Sequence, residues 1–448
     1  MSGWTIQASD VLPRQGNPAG VPPVRAKRSV RNPLRHLAWP VTGLMLLLLM
    51  PPETSVSFGG LRLSPYRILI IFGLFTALIR LFSGRCGKLI ITDWLVAGHA
   101  VWVGLSLMNF GGVAVMIESG GVYGLEAVGA YLIARCYIRN ADDYEAMLKL
   151  HLLIVIGLAI VTIPEAITGK HFIRELARSV FGGPPIPVID PRLGLDRAFG
   201  PFDHPILLGV FCSTALAGPY MVLGRSRISF RNGIRASVIG IATFMSLSAG
   251  PLIAYASQAG FIGWERVTRV FKGRWYILLL GFAFAYIAVD LLATRNPIIV
   301  FVQHLTFSAQ NAYTRVLIWN YGVAEVARFP WFGIGLGDWA RAAWMGPSVD
   351  NFWLLTAMRY GLPAVGMLVG ATLATMLMMC RRPIADERTR NCRLAWCMTI
   401  ISLIIVGLTV HFWNALFAWF FFLIGSGAWM AGLPTKQATS PRSLGGER

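Results

Sequence analysis

Acidic side chains are scarce in this chain. It holds 21 Asp and Glu against 40 Lys and Arg, and only 14% of its residues are charged. A soluble globular protein carries about 25%, so an ordinary soluble fold is excluded. Cysteine is sparse as well. The six cysteines (Cys86, Cys136, Cys212, Cys380, Cys392, Cys397) form no CxxC pair and no Cys/His metal spacing, so free thiols are expected and no metal site is assigned. Alternating segments of about ten residues are missing, which excludes an outer-membrane barrel. No internal repeat of fixed period recurs. Early and late apolar segments lack the inverted symmetry of many transporters. No cleavable signal peptide is evident, because a basic N-terminal arm leads straight into a full apolar run.

What is abundant is apolar surface: 55% of the residues are hydrophobic and the mean hydropathy is +0.59. Runs of roughly 18 to 22 apolar residues recur along the chain, near the length needed to cross a bilayer. Within lipid each backbone polar group must be satisfied internally, so such runs must be helices. The expected fold class is all-α: a polytopic integral membrane protein with about 12 transmembrane helices. Its first span centres on Trp39–Met50, and one large loop separates the ninth span (Trp275–Ala293) from the tenth (Phe352–Met379). Residues 1–34 and 434–448 read as polar, disordered termini flanking a transmembrane domain at 35–433, whose long loops are 169–204 and 294–351. Segments Ile234–Leu247 and Leu252–Trp264 are short and separated only by Ser248-Ala249-Gly250-Pro251. A tight hairpin and one broken helix both fit them.

The net charge of +19 is unevenly spread. Basic residues collect in the N-terminal arm and in the loops with Arg80/Arg85/Lys88, Arg135/Arg139/Lys149, Arg225/Arg227/Arg231, Arg266/Arg269/Lys272/Arg274 and Arg381/Arg382/Arg388/Arg390. By the positive-inside rule these loops and both termini lie in the cytoplasm, and the two long loops lie on the periplasmic face of a bacterial inner membrane. The arm also suits anionic lipid heads. Nucleic acid is not an expected partner, since no basic-aromatic domain exists for it.

Three places could carry chemistry. Arg197 stands among Gly200, Pro201 and aromatics at the mouth of a span. A guanidinium binds phosphate bidentately and stays charged, so an anion clamp and an arginine snorkelling to lipid heads both fit. Arg315 and Trp319 lie at the head of an amphipathic stretch expected to be helical, followed by Phe329-Pro330-Trp331-Phe332-Gly333-Ile334-Gly335-Leu336-Gly337-Asp338. Those alternate glycines permit close backbone approach or positive φ. No Lys-Ser/Thr follows, so this is not a Walker A loop, and no βαβ unit surrounds it, so it is not a dinucleotide fingerprint. Finally, Asp350-Asn351 precedes the tenth span. The carboxylate suits a general base toward a sugar hydroxyl and equally a helix N-cap. His204 and His304 read as structural before catalytic. Asp93 and Asp290 lie near span ends and make no proton-relay pair.

In order along the chain stand Arg197-x-x-Gly200-x-Phe202-x-His204-Pro205, Ser246-x-Ser248-x-Gly250-Pro251, Arg315-x-x-x-Trp319, Pro330-Trp331-Phe332-Gly333-x-Gly335, and Asp350-Asn351 before Gly361-Leu362-Pro363. Each motif alone is loose. Together, over Tyr123 to Gly370, they resemble the O-antigen ligase and polymerase family of bacterial envelope assembly, a GT-C-like architecture. The resemblance implies about 10–14 spans, one large periplasmic loop, a glycan donor on undecaprenyl pyrophosphate, and no metal, nucleotide sugar or other cofactor. By position, Arg197 and Arg315 match the family's two functional arginines. The family usually carries His-Asn, His-Ser or His-Gln where this chain has Asp350-Asn351, so a carboxylate replaces the expected histidine.

The resemblance thus implies a metal-independent membrane glycosyltransferase that polymerises lipid-linked repeat units. Asp350, Arg315 and Arg197 are the expected catalytic residues, and Arg197, Arg315, His204, Asn351, Trp319, Arg341 and Trp331 the expected substrate contacts. A chain-length regulator and a flippase are candidate partners. A ligase moving finished glycan to lipid A-core or another acceptor fits the same residues. A glycan transporter is the alternative from a different class.

Overall fold

The structure is a computed structural model that describes residues 37–58, 61–183, 185–292, 309–384 and 386–432. The terminal segments 1–34 and 434–448 and His304 lie outside the described residues, as does the opening of the second long loop. The described chain is mostly helical, with one small hairpin of β1 (Val56–Phe58) and β2 (Leu61–Leu63). The helices are α1 (Trp39–Leu47), α2 (Pro65–Phe82), α3 (Ile91–Val115), α4 (Gly121–Gly124), α5 (Ala130–Tyr137), α6 (Ala141–Thr168), α7 (Phe172–Phe181) and α8 (Pro205–Ser213). They continue as α9 (Phe230–Phe244), α10 (Ala249–Val267), α11 (Arg274–Leu292), α12 (Ala309–Arg328), α13 (Phe352–Arg381), α14 (Glu387–Val406) and α15 (Asn414–Ala431). The six cysteines are free thiols.

Among the described residues, seven helices are long and apolar enough to cross a membrane: α2, the continuous run Ile91–Tyr137, α6, α11, α13, α14 and α15. The first expected span shrinks to the nine residues of α1, closed off by Pro51 and Pro52. The 47-residue run is a folded pair rather than one rod. Gly112 adopts φ 75°, ψ −170°, a conformation open to glycine and strained for other residues. Beyond it the chain returns antiparallel along α3. His99 Nε2 lies 2.8 Å from the Tyr123 hydroxyl, and a Cβ on Gly120 would meet Gly104 Cα at 3.4 Å. Its two limbs are the part of α3 before Gly112 and the return through α4 and α5.

α9 and α10 form a tight hairpin rather than one broken helix. Tyr255 donates its hydroxyl to the Ala236 carbonyl at 3.0 Å, and Ser248 stands just before α10 after Leu247 turns at φ 44°. The core gathers on α15, whose residues from Ala415 onward are buried among α5, α13 and α14. By contrast, α11 has no buried residue.

The helix ends sort into two sets. The basic loops form one continuous chain of contacts. Arg80 lies over the Tyr137 ring, Arg135 donates to the Cys86 and Lys88 carbonyls, Arg388 bonds Asp142 and Glu145, Arg269 approaches Glu387, and Arg266 donates to the Ser226 carbonyl. At the other ends of the same helices the loops 169–204 and 246–248, the head of α13 and the 407–413 turn come together.

Candidate functional site

The site starts with how Arg197 is held. Glu165, buried near the end of α6, accepts from the backbone N–H groups of Phe199 and Gly200, both at 3.0 Å, and lies 2.6 Å from His171 Nδ1. Asp196 N–H donates to the Ala166 carbonyl and Ala198 N–H to the Met245 carbonyl, each at 3.0 Å. The loop is therefore stitched between the end of α6 and the α9–α10 turn, with Gly200 at φ 52° making the bend. Between those stitches Arg197, 6% exposed, donates Nη2 to Ser248 Oγ at 2.6 Å and Nε to the Ser246 carbonyl at 3.3 Å. Two of the motifs read from the sequence thus meet as one unit. No carboxylate pairs with Arg197 among the described residues. Burial, then the nearby Arg192 cation, pulls its pKa down to about 10, so it stays charged at neutral pH.

Arg315 stands on α12, one turn before Trp319. α12 lies along the head of α13: Ile318 packs in a small core with Leu354 and Met358, and Gly322 abuts Leu354. This brings Arg315, Trp319, Asp350, Asn351 and Leu408 to one narrow crevice. Buried Arg315 Nη1 has no hydrogen-bond partner. Burial lowers the Arg315 pKa, Asp350 opposes that shift and Arg192 adds to it. Asp350 opens to solvent on one side while protein crowds the other. That crowding raises its pKa from the ordinary carboxylate value, and Arg315 pulls against the rise. The Asp350 carboxylate makes no ion pair or hydrogen bond among the described residues. The capping role falls to Asn351, whose side chain accepts from Leu354 N–H at 2.9 Å. The adjoining pair therefore divides two roles: Asn351 caps α13, and Asp350 is left free.

His204 caps α8, its Nδ1 accepting from Ile206 N–H at 3.1 Å. Burial, then Arg197 and Arg192, holds its pKa near 4, so the ring is neutral at pH 7. Arg192, absent from the residues singled out in the sequence, acts electrostatically on Arg197, His204 and Arg315 alike. The Arg192 guanidinium donates to the Leu247 carbonyl at 3.0 Å, tying it to the turn that holds Arg197. The available signal was a basic residue in a long loop set against the basic-loop pattern. Glu165 and His411 were also missed. His411 sits between α14 and α15, stacked on Trp413 at 5.7 Å, with its buried Nδ1 unpartnered. Burial and then Arg359 depress its pKa to about 3.

Two expected contacts lie elsewhere. Trp331 is 67% exposed, and its carbonyl accepts from Trp102 Nε1 at 3.2 Å. It belongs to a turn that locks onto a break in α13. Leu362 N–H donates to the Pro330 carbonyl, Ile334 N–H to Met358 and Gly335 N–H to Arg359, at 2.8 to 2.9 Å. Gly361 at φ 80° makes room for that contact, since a Cβ there would meet the Trp331 carbonyl oxygen. The glycine motif is a backbone interlock. Arg341 pairs with Asp338, donates Nε to the Met345 carbonyl at 3.0 Å and lies over the Trp339 ring. It braces its own loop. Trp339 is buried with Nε1 on the Pro347 carbonyl, whereas Trp344 remains exposed.

Arg315, the Asp350 carboxylate and the half-buried Trp319 indole share the crevice, and Arg192 acts electrostatically on both Arg315 and Arg197. Such cations suit a multiply charged oxyanion, and a free carboxylate suits proton acceptance. Among the described residues no three His, Cys, Asp or Glu side chains converge as metal ligands. No protein-family model matches the chain, and no curated protein matches it with significance.

Proposed function

We propose that the protein is a membrane glycosyltransferase that polymerises undecaprenyl-pyrophosphate-linked oligosaccharide repeat units into a surface polysaccharide or exopolysaccharide. In this reading about 12 segments cross the bacterial inner membrane. The short helices α1, α8 and α9 and the more polar α10 join the seven long ones, of which the folded pair Ile91–Tyr137 crosses twice. The basic ends face the cytoplasm under the positive-inside rule, and the crevice opens on the periplasmic face. The observation that carries the reading is that Arg315 faces Asp350 in the crevice while Arg192 acts electrostatically on both Arg315 and Arg197, with no carboxylate within ion-pair distance of Arg197 or Arg315 among the described residues. A buried ion without a counter-ion costs of order several kcal/mol, and a bound pyrophosphate would offset it.

In the reaction an acceptor sugar hydroxyl oxygen attacks the anomeric carbon of the donor. The bond from that carbon to the pyrophosphate oxygen breaks, its electron pair leaving with undecaprenyl pyrophosphate. Arg197, Arg192 and Arg315 stabilise the charge that builds on the leaving group, and Asp350 accepts the hydroxyl proton. Trp319 offers a ring face to a sugar. The exposed apolar helices supply the surface along which a polyprenyl chain lies.

The test is analysis of lipid-linked glycans and surface polysaccharide in a deletion strain complemented with wild type or Arg315→Ala. Loss of long polymer with single repeat units retained, restored only by wild type, is expected. Accumulation of finished lipid-linked polymer would instead identify a ligase. Unchanged glycans would overturn transfer chemistry and bring back the transporter reading.

A further inference from the structure

α10 and α14 pack antiparallel. Gly250 lies against Val406 and Val410 at the crevice end, and Arg269 lies 3.9 Å from Glu387 at the other. α10 has 19 residues, so the two ends are about 28 Å apart at 1.5 Å per residue. At the far, basic end a cavity of about 460 Å³ opens between the tail of α10, the turn at Ser226 and the head of α14. That volume falls within the range of small-ligand pockets.

Its wall is rich in donors and short of acceptors. Glu265 is engaged by Arg274 through two bonds, Nε to Oε2 at 2.7 Å and Nη2 to Oε1 at 2.6 Å. Glu387 faces Arg269 at the solvent edge, both mostly exposed. Arg266 spends Nη1 on the Ser226 carbonyl at 2.8 Å and the Tyr220 hydroxyl at 3.4 Å, and meets no carboxylate. The Arg390 side chain has no partner among the described residues. Asn391 is only 8% exposed and lines the cavity, yet its amide makes no hydrogen bond among the described residues. The amide is therefore open to the cavity rather than sealed in protein. Arg388 fixes this end of α14 by reaching Asp142 at 2.6 Å and Glu145 at 2.5 Å on α6, so Arg390 and Asn391 are presented on an anchored helix.

We propose that this cavity binds a phosphate group, carried by an anionic lipid head or by a soluble phosphate. Arg266 and Arg390 hold its charge, and Asn391 donates to one of its oxygens. Arg274 opens α11, whose apolar side chains are exposed along its length, so a lipid whose head sat here would have an apolar helix beside its acyl chains. The inference does not rest on the transferase reading, because every residue it uses lies at the opposite end of the helices from the crevice.

The experiment uses the full-length protein in a neutral detergent. Binding of short-chain phosphatidic acid and of inorganic phosphate is measured by calorimetry. Wild type is expected to bind at least one probe. Arg390→Gln should weaken that binding about tenfold, the scale of one charged hydrogen bond, and Arg266→Gln with Arg390→Gln should abolish it. Arg231→Gln, an exposed arginine outside the cavity, should leave it unchanged. Tight binding of phosphatidic acid that inorganic phosphate fails to displace identifies a lipid head, and equal competition identifies a soluble anion. Arg390 has no partner to lose, so its variant should elute as wild type on size exclusion; Asn391→Ala provides a second, uncharged check, with weaker binding expected. Failure of both probes to bind wild type, or wild-type affinity in the Arg390 variant, would overturn the proposal.

Discussion

The two ends of the bundle use arginine differently. At the basic end Arg135 sits on Asp93, Arg274 on Glu265 and Arg388 on Asp142 and Glu145. At the crevice end Arg197 rests on neutral oxygens, and Nη1 of Arg315 rests on nothing. The contrast is not one of location alone, because Arg174 is paired with Glu53 and Arg67 with Glu126 near the crevice end. Arginines matched to a carboxylate hold helices together. Those left unmatched while buried are stable only if something else supplies negative charge, since desolvating an ion is costly. Arg197 belongs to this second kind; Arg315 in the crevice and Arg266 and Arg390 in the basic cavity are half-buried and likewise lack a carboxylate among the described residues.

The largest expected effect lies on the paired side. Arg135 and Asp93 are both buried, and Tyr131 donates its hydroxyl to the same carboxylate at 2.5 Å. Arg135→Ala would leave Asp93 buried and unpaired at a cost of about 3–5 kcal/mol. The expected outcome is a sharp loss of folded protein from the membrane fraction and a lower thermal midpoint. A wild-type midpoint would break the contrast between the two ends. Arg315→Ala makes the opposite prediction: full expression and an unchanged midpoint, with transfer slowed about 10²–10³-fold, the usual loss for one charge-stabilising donor.

Asp350 sharpens the comparison next. Asp350→Asn should lower the transfer rate by about 10²-fold or more while leaving stability near wild type, because the cap belongs to Asn351. The Asp350 pKa is raised by crowding, so on acidification the wild-type rate should begin to fall at a higher pH than an unperturbed aspartate would impose. That limb should vanish in the residual activity of the variant. Full activity in Asp350→Asn would leave Asp350 as a bystander to Arg315.

The helices were legible in the sequence because lipid and protein core demand the same thing of a helix, an apolar surface. For the same reason the sequence could not separate α15, buried from Ala415 onward, from α11, which buries no residue. The reversal at Gly112 and the α9–α10 turn were marked by small or turn-forming residues. The arginines stood out because each sits beside glycine, proline or aromatics, but their surroundings depend on pairings far apart in the chain, such as Ala198 N–H on the Met245 carbonyl. Arg192 stands between Pro191 and Gly194 and had the same setting, but it lies outside the motifs that carry the resemblance and was passed over. Trp331 and Arg341 looked like ligand contacts because exposed aromatics and cations do. Arg341 braces its own loop, whereas the Trp331 backbone meets the break at Gly361 and its ring stays exposed.

The smallest effect concerns His204, which the sequence pattern offered both as a substrate contact and as a structural residue. The pKa of its ring falls from an ordinary 6.5 to about 4 through burial and the two neighbouring cations. The unfolded chain therefore binds the proton more readily than the folded one between those values. The stabilisation from keeping the ring neutral is complete above pH 6.5 and is lost as pH falls toward 4. His204→Asn keeps a good cap and removes the titration, so its thermal midpoint should vary less across that window while matching wild type at neutral pH. His204→Ala also removes the titration but loses the cap, at about 1 kcal/mol. If His204→Asn keeps full transfer activity, the histidine serves the crevice only by fixing the head of α8. If activity falls while the midpoint holds, the ring touches substrate beside Arg197.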